Sequence, residues 1–508
     1  MKMVIEIDGE ELTAEDVEKV ARDFEEVKLA QESRKKVKSS REIVERKLDS
    51  EEDIYGINTG FGDLASVKID KEETKALQEN LIRSHASGVG EPLGEEVVRA
   101  TMLLRANTLA KGYSGVRLVL IERLLQMLNE GVHPVIPSKG SVGASGDLAP
   151  LAHMSLVLIG DGEAIYQGKR LPGEEALKRA DIEPITLKAK EGLALLNGTQ
   201  VMTAFGALAI QDGKRLLKAA QIASAMSLEV LMGTDAVFDE RLHKIRPHQG
   251  QISCATNLRK LTEDSEIIES HRECDRVQDP YTLRCMPQVY GAAKDALGYV
   301  EKVLNIEMNS ATDNPLVFPE GDVISGGNFH GQPVALALDF LSMAISEIGN
   351  ISERTTDKLM YEEESGLPRF LTEESGLNSG FMIAQYTAAS LVSENKVLSH
   401  PASVDSIPTS AGQEDHVSMG TISARHARDI VENVQYTVAI EMLSAAQALE
   451  YHDLSPGRGV KAAYDLVREH VDALGRDRPL HSDIKKAKGM IEQGDVVEKV
   501  EDEVGMLD

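Results

Sequence analysis

Pro333-Val-Ala-Leu-Ala-Leu-Asp-Phe-Leu-Ser-Met-Ala-Ile-Ser-Glu-Ile348 sets Val334, Leu338, Leu341, Ile345 and Ile348 at steps of four, three, four and three. That alternation is the seam of a helix packed along other helices. A proline in the first turn costs no hydrogen bond, because the first amides of a helix have no internal partner. The spacing therefore predicts a long bundle helix. Thr421 to about Glu450 repeats the idea with Val431, Val434, Val438, Met442 and Leu449, rich in alanine so that helices can approach closely. Such stripes are core positions, not cofactor contacts. Helical patterning dominates from about Lys190 onward, with no internal repeat or low-complexity tract. The chain reads as mainly α, a long-helix bundle with loops projecting from one end.

Length and charge bound the rest. The 508 residues, 42% of them hydrophobic, are enough for two or more subdomains. Fifty-five Lys+Arg against 83 Asp+Glu give a net charge of −28, which repels nucleic acid and other polyanions. Cys254, Cys274 and Cys285 are too few and too unevenly spaced for a disulfide framework or a zinc site. A reducing, cytoplasmic setting fits them. The 13 histidines contain no H-E-x-x-H cluster, so no metal is expected. No apolar run approaches transmembrane length, and the N-terminus reads as strand and turn, not as a signal peptide. Neither a membrane nor a nucleic acid is expected as partner.

Along the first part of the chain, Val4 to Leu12 alternates and turns at Asp8-Gly9, which predicts a small hairpin. Thr13 with Asp16 reads as a helix N-cap, and helical patterning continues to about Leu48 with a break near Ser39-Ser40. Ile54-Tyr-Gly-Ile-Asn-Thr-Gly-Phe-Gly62 reads as a loop beside a cleft, although a buried Tyr55 closing a turn fits equally well. Helices are expected over 70–85, 95–111 and 116–129. Gly162 to Arg170 is expected to form a short exposed hairpin.

The segment that carries chemistry is Gly140-Ser-Val-Gly-Ala-Ser-Gly-Asp-Leu-Ala-Pro150, which follows the proline-punctuated His133-Pro-Val-Ile-Pro137. Glycine removes the Cβ barrier to positive φ, so the backbone around Ala144-Ser145-Gly146 can fold back until the Gly146 nitrogen faces the Ala144 carbonyl carbon. Attack there closes a five-membered ring. Loss of water and of the Ser145 hydroxyl then leaves a methylidene-imidazolone whose exocyclic carbon is a strong electrophile. A phosphate loop is excluded, since G-x-x-x-x-G-K-[ST] is absent, and a nucleophile elbow fails because Asp147 stands where glycine is needed. By the motif alone an ordinary flexible loop fits as well.

This segment, from Gly140 to His153, resembles the signature of the aromatic amino-acid ammonia-lyases, and the likeness runs along nearly the whole chain. Tyr55 in Y-G-I-N-T-G-F-G, Ser84-His85, Asn197 in L-L-N-G-T-Q, Gln278-Asp-Pro-Tyr281 with Arg284, Phe329 in G-G-N-F-H-G and the run Gln413-Glu414-Asp-His-Val-Ser-Met419 fall in the family's order. The resemblance implies an aspartase/fumarase-like fold. A smaller N-terminal domain, residues 1–195, mixed but mainly helical, would carry the cofactor loop, and residues 196–508 would form the bundle. It also implies a homotetramer whose active sites each draw on three chains. The prosthetic group would be 4-methylidene-imidazol-5-one made autocatalytically from Ala144-Ser145-Gly146, with no metal, nicotinamide, pyridoxal or nucleotide cofactor.

Roles follow the matching positions. Tyr55 is the expected base for the weakly acidic β-proton, with Glu414 the next candidate. Arg284 would clamp the substrate carboxylate with Tyr281 beside it. Asn197 and Gln278 would serve the prosthetic ring oxygen and the carboxylate, and Phe329 would shape the cleft. His85 and Glu414, in the Gln413-Glu414 run, suit an imidazole with two nitrogens. The implied reaction is therefore the deamination of L-histidine to trans-urocanate and ammonia. A tyrosine or phenylalanine ammonia-lyase or an aminomutase of the same family is the alternative within this chemistry, and a non-catalytic helical scaffold the alternative outside it.

Overall fold

The helix expected from the 333–348 seam runs Gln332–Leu359, with Pro333 as its second residue and all five seam residues fully buried. Its counterpart runs Gly420–Leu449, where Val431, Val434, Val438 and Met442 are likewise fully buried. Two further long helices span Gln200–Val230 and Met286–Met308. By length and composition Gln332–Leu359 is long and apolar enough to cross a membrane, which corrects the expectation that no run approaches that length. Yet 72% of its apolar window is buried in the protein, as suits a core helix.

The computed structural model describes residues 4–48, 59, 73–273, 276–361 and 366–508. The chain divides into two compact units, one made of Met1–Gln211, Val300–Asp339 and Pro401–Arg425, the other of Asp212–Tyr299, Phe340–His400 and His426–Asp508.

The first unit opens with strand β1 (Val4–Ile7), helix α1 (Ala14–Arg22), strand β2 (Glu26–Leu29) and helix α2 (Gln31–Leu48). β1 pairs in parallel with β2, so the expected hairpin does not form. The reason is local: Asp8 Oδ1 accepts the amides of Glu10 at 2.7 Å and Glu11 at 3.3 Å, and this turn feeds the chain into a helix instead of back along the strand. Thr13 then caps α1 as expected, its hydroxyl accepting the Asp16 amide while Asp16 accepts the Thr13 amide. The break expected at Ser39-Ser40 is also absent. α2 passes through it, with Ser40 Oγ accepting the Gly115 amide at 2.9 Å, and the interruption falls earlier, at β2.

There follow α3 (Thr74–His85), β3 (Val89–Pro92), α4 (Glu95–Ala110), α5 (Leu118–Glu130), β4 (His133–Pro134), β5 (Pro137–Lys139), α6 (Ala149–Leu158), β6 (Glu163–Tyr166) and β7 (Lys169–Pro172). β6 and β7 form the expected hairpin through Gln167 and Gly168, both at positive φ as a tight two-residue turn requires.

The second unit buries polar groups among its helices. Glu441, wholly inaccessible, accepts the hydroxyls of Ser224 at 3.1 Å and Ser227 at 3.0 Å, and Ser224 also meets the Tyr290 hydroxyl at 2.6 Å. Glu229 accepts the Gly457 amide through both oxygens. Burial pushes Glu441 up to about 7 and Glu229 up to about 8, against an ordinary carboxyl value of 4.5, more strongly than their hydrogen bonds pull them down. The folded state therefore holds protons between pH 4.5 and 8 that the unfolded chain has released. Stability should fall as pH rises, between pH 4.5 and about 7 for Glu441 and between 4.5 and about 8 for Glu229, by about 1.4 kcal/mol per pH unit for each group. Glu441→Gln removes one titration and keeps an acceptor, so its Tm should decline less steeply between pH 5 and 7 than that of the parent. Parallel Tm profiles would refute the buried neutral acid.

Candidate active site

β5 lies antiparallel to β3, with Val89 opposite Lys139, and this pairing delivers the chain to Gly140. A Cβ at Gly140 would lie 2.9 Å from the Gly88 Cα, so only glycine lets the two segments approach so closely. The loop ends where Pro150 enters the first turn of α6. Between these points Ser145 and Gly146 are both left-handed, at φ 52° and 80°. A serine in that region is strained by about 1 kcal/mol or more and persists only where the surroundings enforce it.

Two groups enforce it. Gly146 bridges to Gly198, the Asp147 amide donates to the Gly198 carbonyl at 2.8 Å, and a Cβ on Gly146 would meet that carbonyl oxygen at 2.2 Å. The Asp147 side chain, fully buried, accepts the amides of Val201 at 2.7 Å and Met202 at 3.4 Å, and the Thr421 hydroxyl at 3.0 Å. The first two belong to the opening turn of Gln200–Val230, whose amides lack partners within the helix. Burial raises Asp147 to about 7, while those hydrogen bonds and Arg105 work against the shift.

Asn197 sits one residue before Gly198 and is held from both ends. Its carbonyl accepts both terminal nitrogens of the buried Arg105, at 2.6 and 2.8 Å, and its side-chain amide donates to the Asn314 carbonyl at 3.0 Å. Beside it the Asp313 carboxylate takes the Lys190 ammonium at 2.6 Å, both side chains wholly inaccessible.

The opposite wall comes from α3 and from residues 409–414. Ser145 Oγ donates to Glu414 Oε1 at 3.3 Å, and the Thr409 hydroxyl donates to Glu414 Oε2 at 2.9 Å. His85 Nδ1 lies 2.8 Å from the Leu81 carbonyl. Burial lowers the His85 imidazole below its ordinary value, against the Leu81 carbonyl and Glu414. Ser84, His85, Ala144, Asp147, Thr409 and Glu414 contribute to the lining of a cavity of about 290 Å³. The fold thus brings together His85, the Ala144-Ser145-Gly146 triplet and Glu414.

Other candidates stand differently. Phe329 is half-buried next to His330, whose ring lies 5.7 Å from that of His416, so the Phe329 segment adjoins the run containing Glu414. Gln413 is exposed. Gln278, Tyr281 and Arg284 belong to the second unit, where Tyr281 is 73% exposed and the Arg284 guanidinium lies 4.4 Å from its ring centroid. Tyr55 lies outside the described residues, as does Cys274. Sequence reasoning missed Arg105, Thr409 and Thr421 altogether and left Asp147 without a role. An arginine inside the apolar run of α4 is the one signal that marked any of them.

The triplet's surroundings suit the ring that its residue types permit. Ala144 is buried against Val417 and Met419, which keeps one side dry, while the Ser145 hydroxyl faces a carboxylate. Among the described residues no group of three metal-ligating side chains occurs.

A family model for aromatic amino acid lyases matches residues 12–469. Over 510 residues the chain is 59% identical to a histidine ammonia-lyase of Caldanaerobacter subterraneus subsp. tengcongensis, with 100% of both chains covered. The crystal structure of histidine ammonia-lyase from Trypanosoma cruzi matches with a TM-score of 0.92 at 41% identity, over 98% of this chain and 95% of that one. Tyrosine aminomutase from Streptomyces globisporus matches with a TM-score of 0.95 at 39% identity, over the whole of both chains.

Proposed function

The chain belongs to the aromatic amino acid lyase family, and from that premise we propose that it releases ammonia from L-histidine without oxidation, leaving trans-urocanate. It is a carbon–nitrogen lyase. The observation that carries the substrate is that His85 and Glu414 line one cavity with Ala144, and Glu414 also accepts the Ser145 hydroxyl; these are polar partners for an imidazole and poor ones for a phenyl ring. A tyrosine or phenylalanine lyase or an aminomutase is not favoured. A phenyl ring offers neither group a hydrogen bond, and identity to the tyrosine aminomutase is 39% against 59% to the histidine ammonia-lyase.

The prosthetic group of this reading is a methylidene-imidazolone that Ala144-Ser145-Gly146 would form, and it would supply an electrophilic carbon able to activate the substrate amine as a leaving group. The side chains do the rest. Tyr55 takes the β-proton. Arg284 forks the substrate carboxylate, with Tyr281 and Gln278 beside it. Asn197 stabilises negative charge on the ring oxygen. Phe329 and Gln413 shape the cleft around Glu414. A cytoplasmic homotetramer with sites drawing on three chains completes the assignment. Purified protein incubated with L-histidine should release urocanate and ammonia in equal amounts, and a β-amino acid in place of free ammonia would overturn the lyase reading.

Specificity tests the pocket. Displacing water from Glu414 without supplying it a ligand hydrogen bond costs about 1–3 kcal/mol, so wild type should discriminate against phenylalanine. Glu414→Gln keeps the shape and an acceptor but removes the charge, and His85→Phe makes the wall apolar. Both should shrink the ratio of kcat/KM for histidine over phenylalanine. An unchanged ratio in both variants would mean that neither residue reads the side chain.

A further inference from the structure

Resting on the reading that L-histidine is the substrate, we propose that its side chain is held in this cavity as the imidazolium cation, donating one ring N–H to His85 and the other to Glu414.

The argument begins with a tautomer. A backbone carbonyl only accepts, so the His85 nitrogen lying 2.8 Å from the Leu81 carbonyl must carry the hydrogen. The Ser84 hydroxyl, 3.1 Å from the same nitrogen, has the Leu81 carbonyl as its own acceptor at 3.1 Å. With His85 neutral, its second nitrogen offers a lone pair. Glu414, which lines the same cavity, is an acceptor too, and the Thr409 hydroxyl already donates to one of its oxygens. A ring that meets both His85 and Glu414 thus faces two acceptors. A neutral imidazole has one N–H and one bare nitrogen, which sets a lone pair against a lone pair. The imidazolium satisfies both.

Charge points the same way. Among the described residues lining the cavity the titratable groups are His85, Asp147 and Glu414, and there is no lysine or arginine. Asp147 is taken up by the amides of Val201 and Met202 and by the Thr421 hydroxyl. His153, behind Gly88, accepts the Gly88 amide, and burial lowers its imidazole below the ordinary value. A cation is therefore the species that this wall stabilises. The proton comes from solvent, no covalent bond changes on binding, and the charged ring withdraws electrons from the β-carbon, which makes the β-proton easier to remove.

The probe is 3-(imidazol-4-yl)propanoate labelled with 15N at both ring positions, an amine-free analogue that binds without reacting. At pH 8 its free ring is mostly neutral, since an imidazole titrates near pH 6.5. Bound to the intact enzyme, both ring nitrogens should give protonated 15N signals. Calorimetry in buffers of different protonation enthalpy should register uptake of more than about half a proton per site. In Glu414→Gln the bound ring should revert to one protonated and one bare nitrogen. One bare nitrogen in the wild-type complex overturns the inference while leaving the reaction assignment standing. Absence of binding overturns it as well, and if L-histidine releases no ammonia the underlying reading falls with it.

Discussion

Ser145→Ala should abolish urocanate formation while the protein remains folded and assembled. The substitution removes the oxygen whose departure makes the electrophilic carbon, so the covalent route is lost outright instead of weakened. Covalent catalysis carries much of an enzyme's acceleration, and kcat should fall on the order of 10⁴-fold or more. The structural cost is small by comparison. Ser145 is half-buried, and its hydroxyl makes one hydrogen bond, 3.3 Å to Glu414, worth about 1 kcal/mol. Circular dichroism and sedimentation should therefore match the parent, while the near-ultraviolet absorbance of the conjugated ring disappears. Near-normal turnover in this variant would remove the cofactor assignment.

Tyr55→Phe should act at a different step. It leaves the Ala144-Ser145-Gly146 triplet and the His85 and Glu414 wall untouched, so the ring absorbance and the affinity for a non-reacting histidine analogue should persist. Losing a positioned base costs about 10²–10⁴-fold, and the loss should appear in kcat with little change in KM. The acidic limb of the pH–rate profile, where a phenol acting as base becomes protonated, should vanish with it. A less than tenfold effect would move the base elsewhere, with Glu414 first in line.

Particular residues mark what the chain disclosed before it was folded. The seam at Val334, Leu338, Leu341, Ile345 and Ile348 was legible because a helix repeats within a dozen residues, and burial of all five follows from that period alone. The Thr13 cap was legible for the same reason, since both partners lie within one turn. The strand pairing of Val4–Ile7 was not, because its partner is Glu26–Leu29 across a helix and no local pattern encodes a parallel crossover. At the site, the triplet was readable from residue types. Its clamps were not: Asp147 reaches Thr421, and Arg105 reaches Asn197, through contacts that only the tertiary structure creates. Likewise Glu414 could be matched to a pattern, but its meeting with Ser145 and Thr409 belongs to the fold.

The wall facing Ser145 is contributed by Glu414, 269 residues further along, and the clamp on Asp147 is closed by Thr421, 274 residues on. Contacts of such high sequence separation form late and slowly, after the loop-closure entropy has been met. A chain emerging from the ribosome therefore carries Ala144-Ser145-Gly146 for most of its synthesis with no pocket around it. The surroundings that hold the triplet are complete only once Glu414 and Thr421 have been made and have docked, so more than four fifths of the chain must exist before the site does.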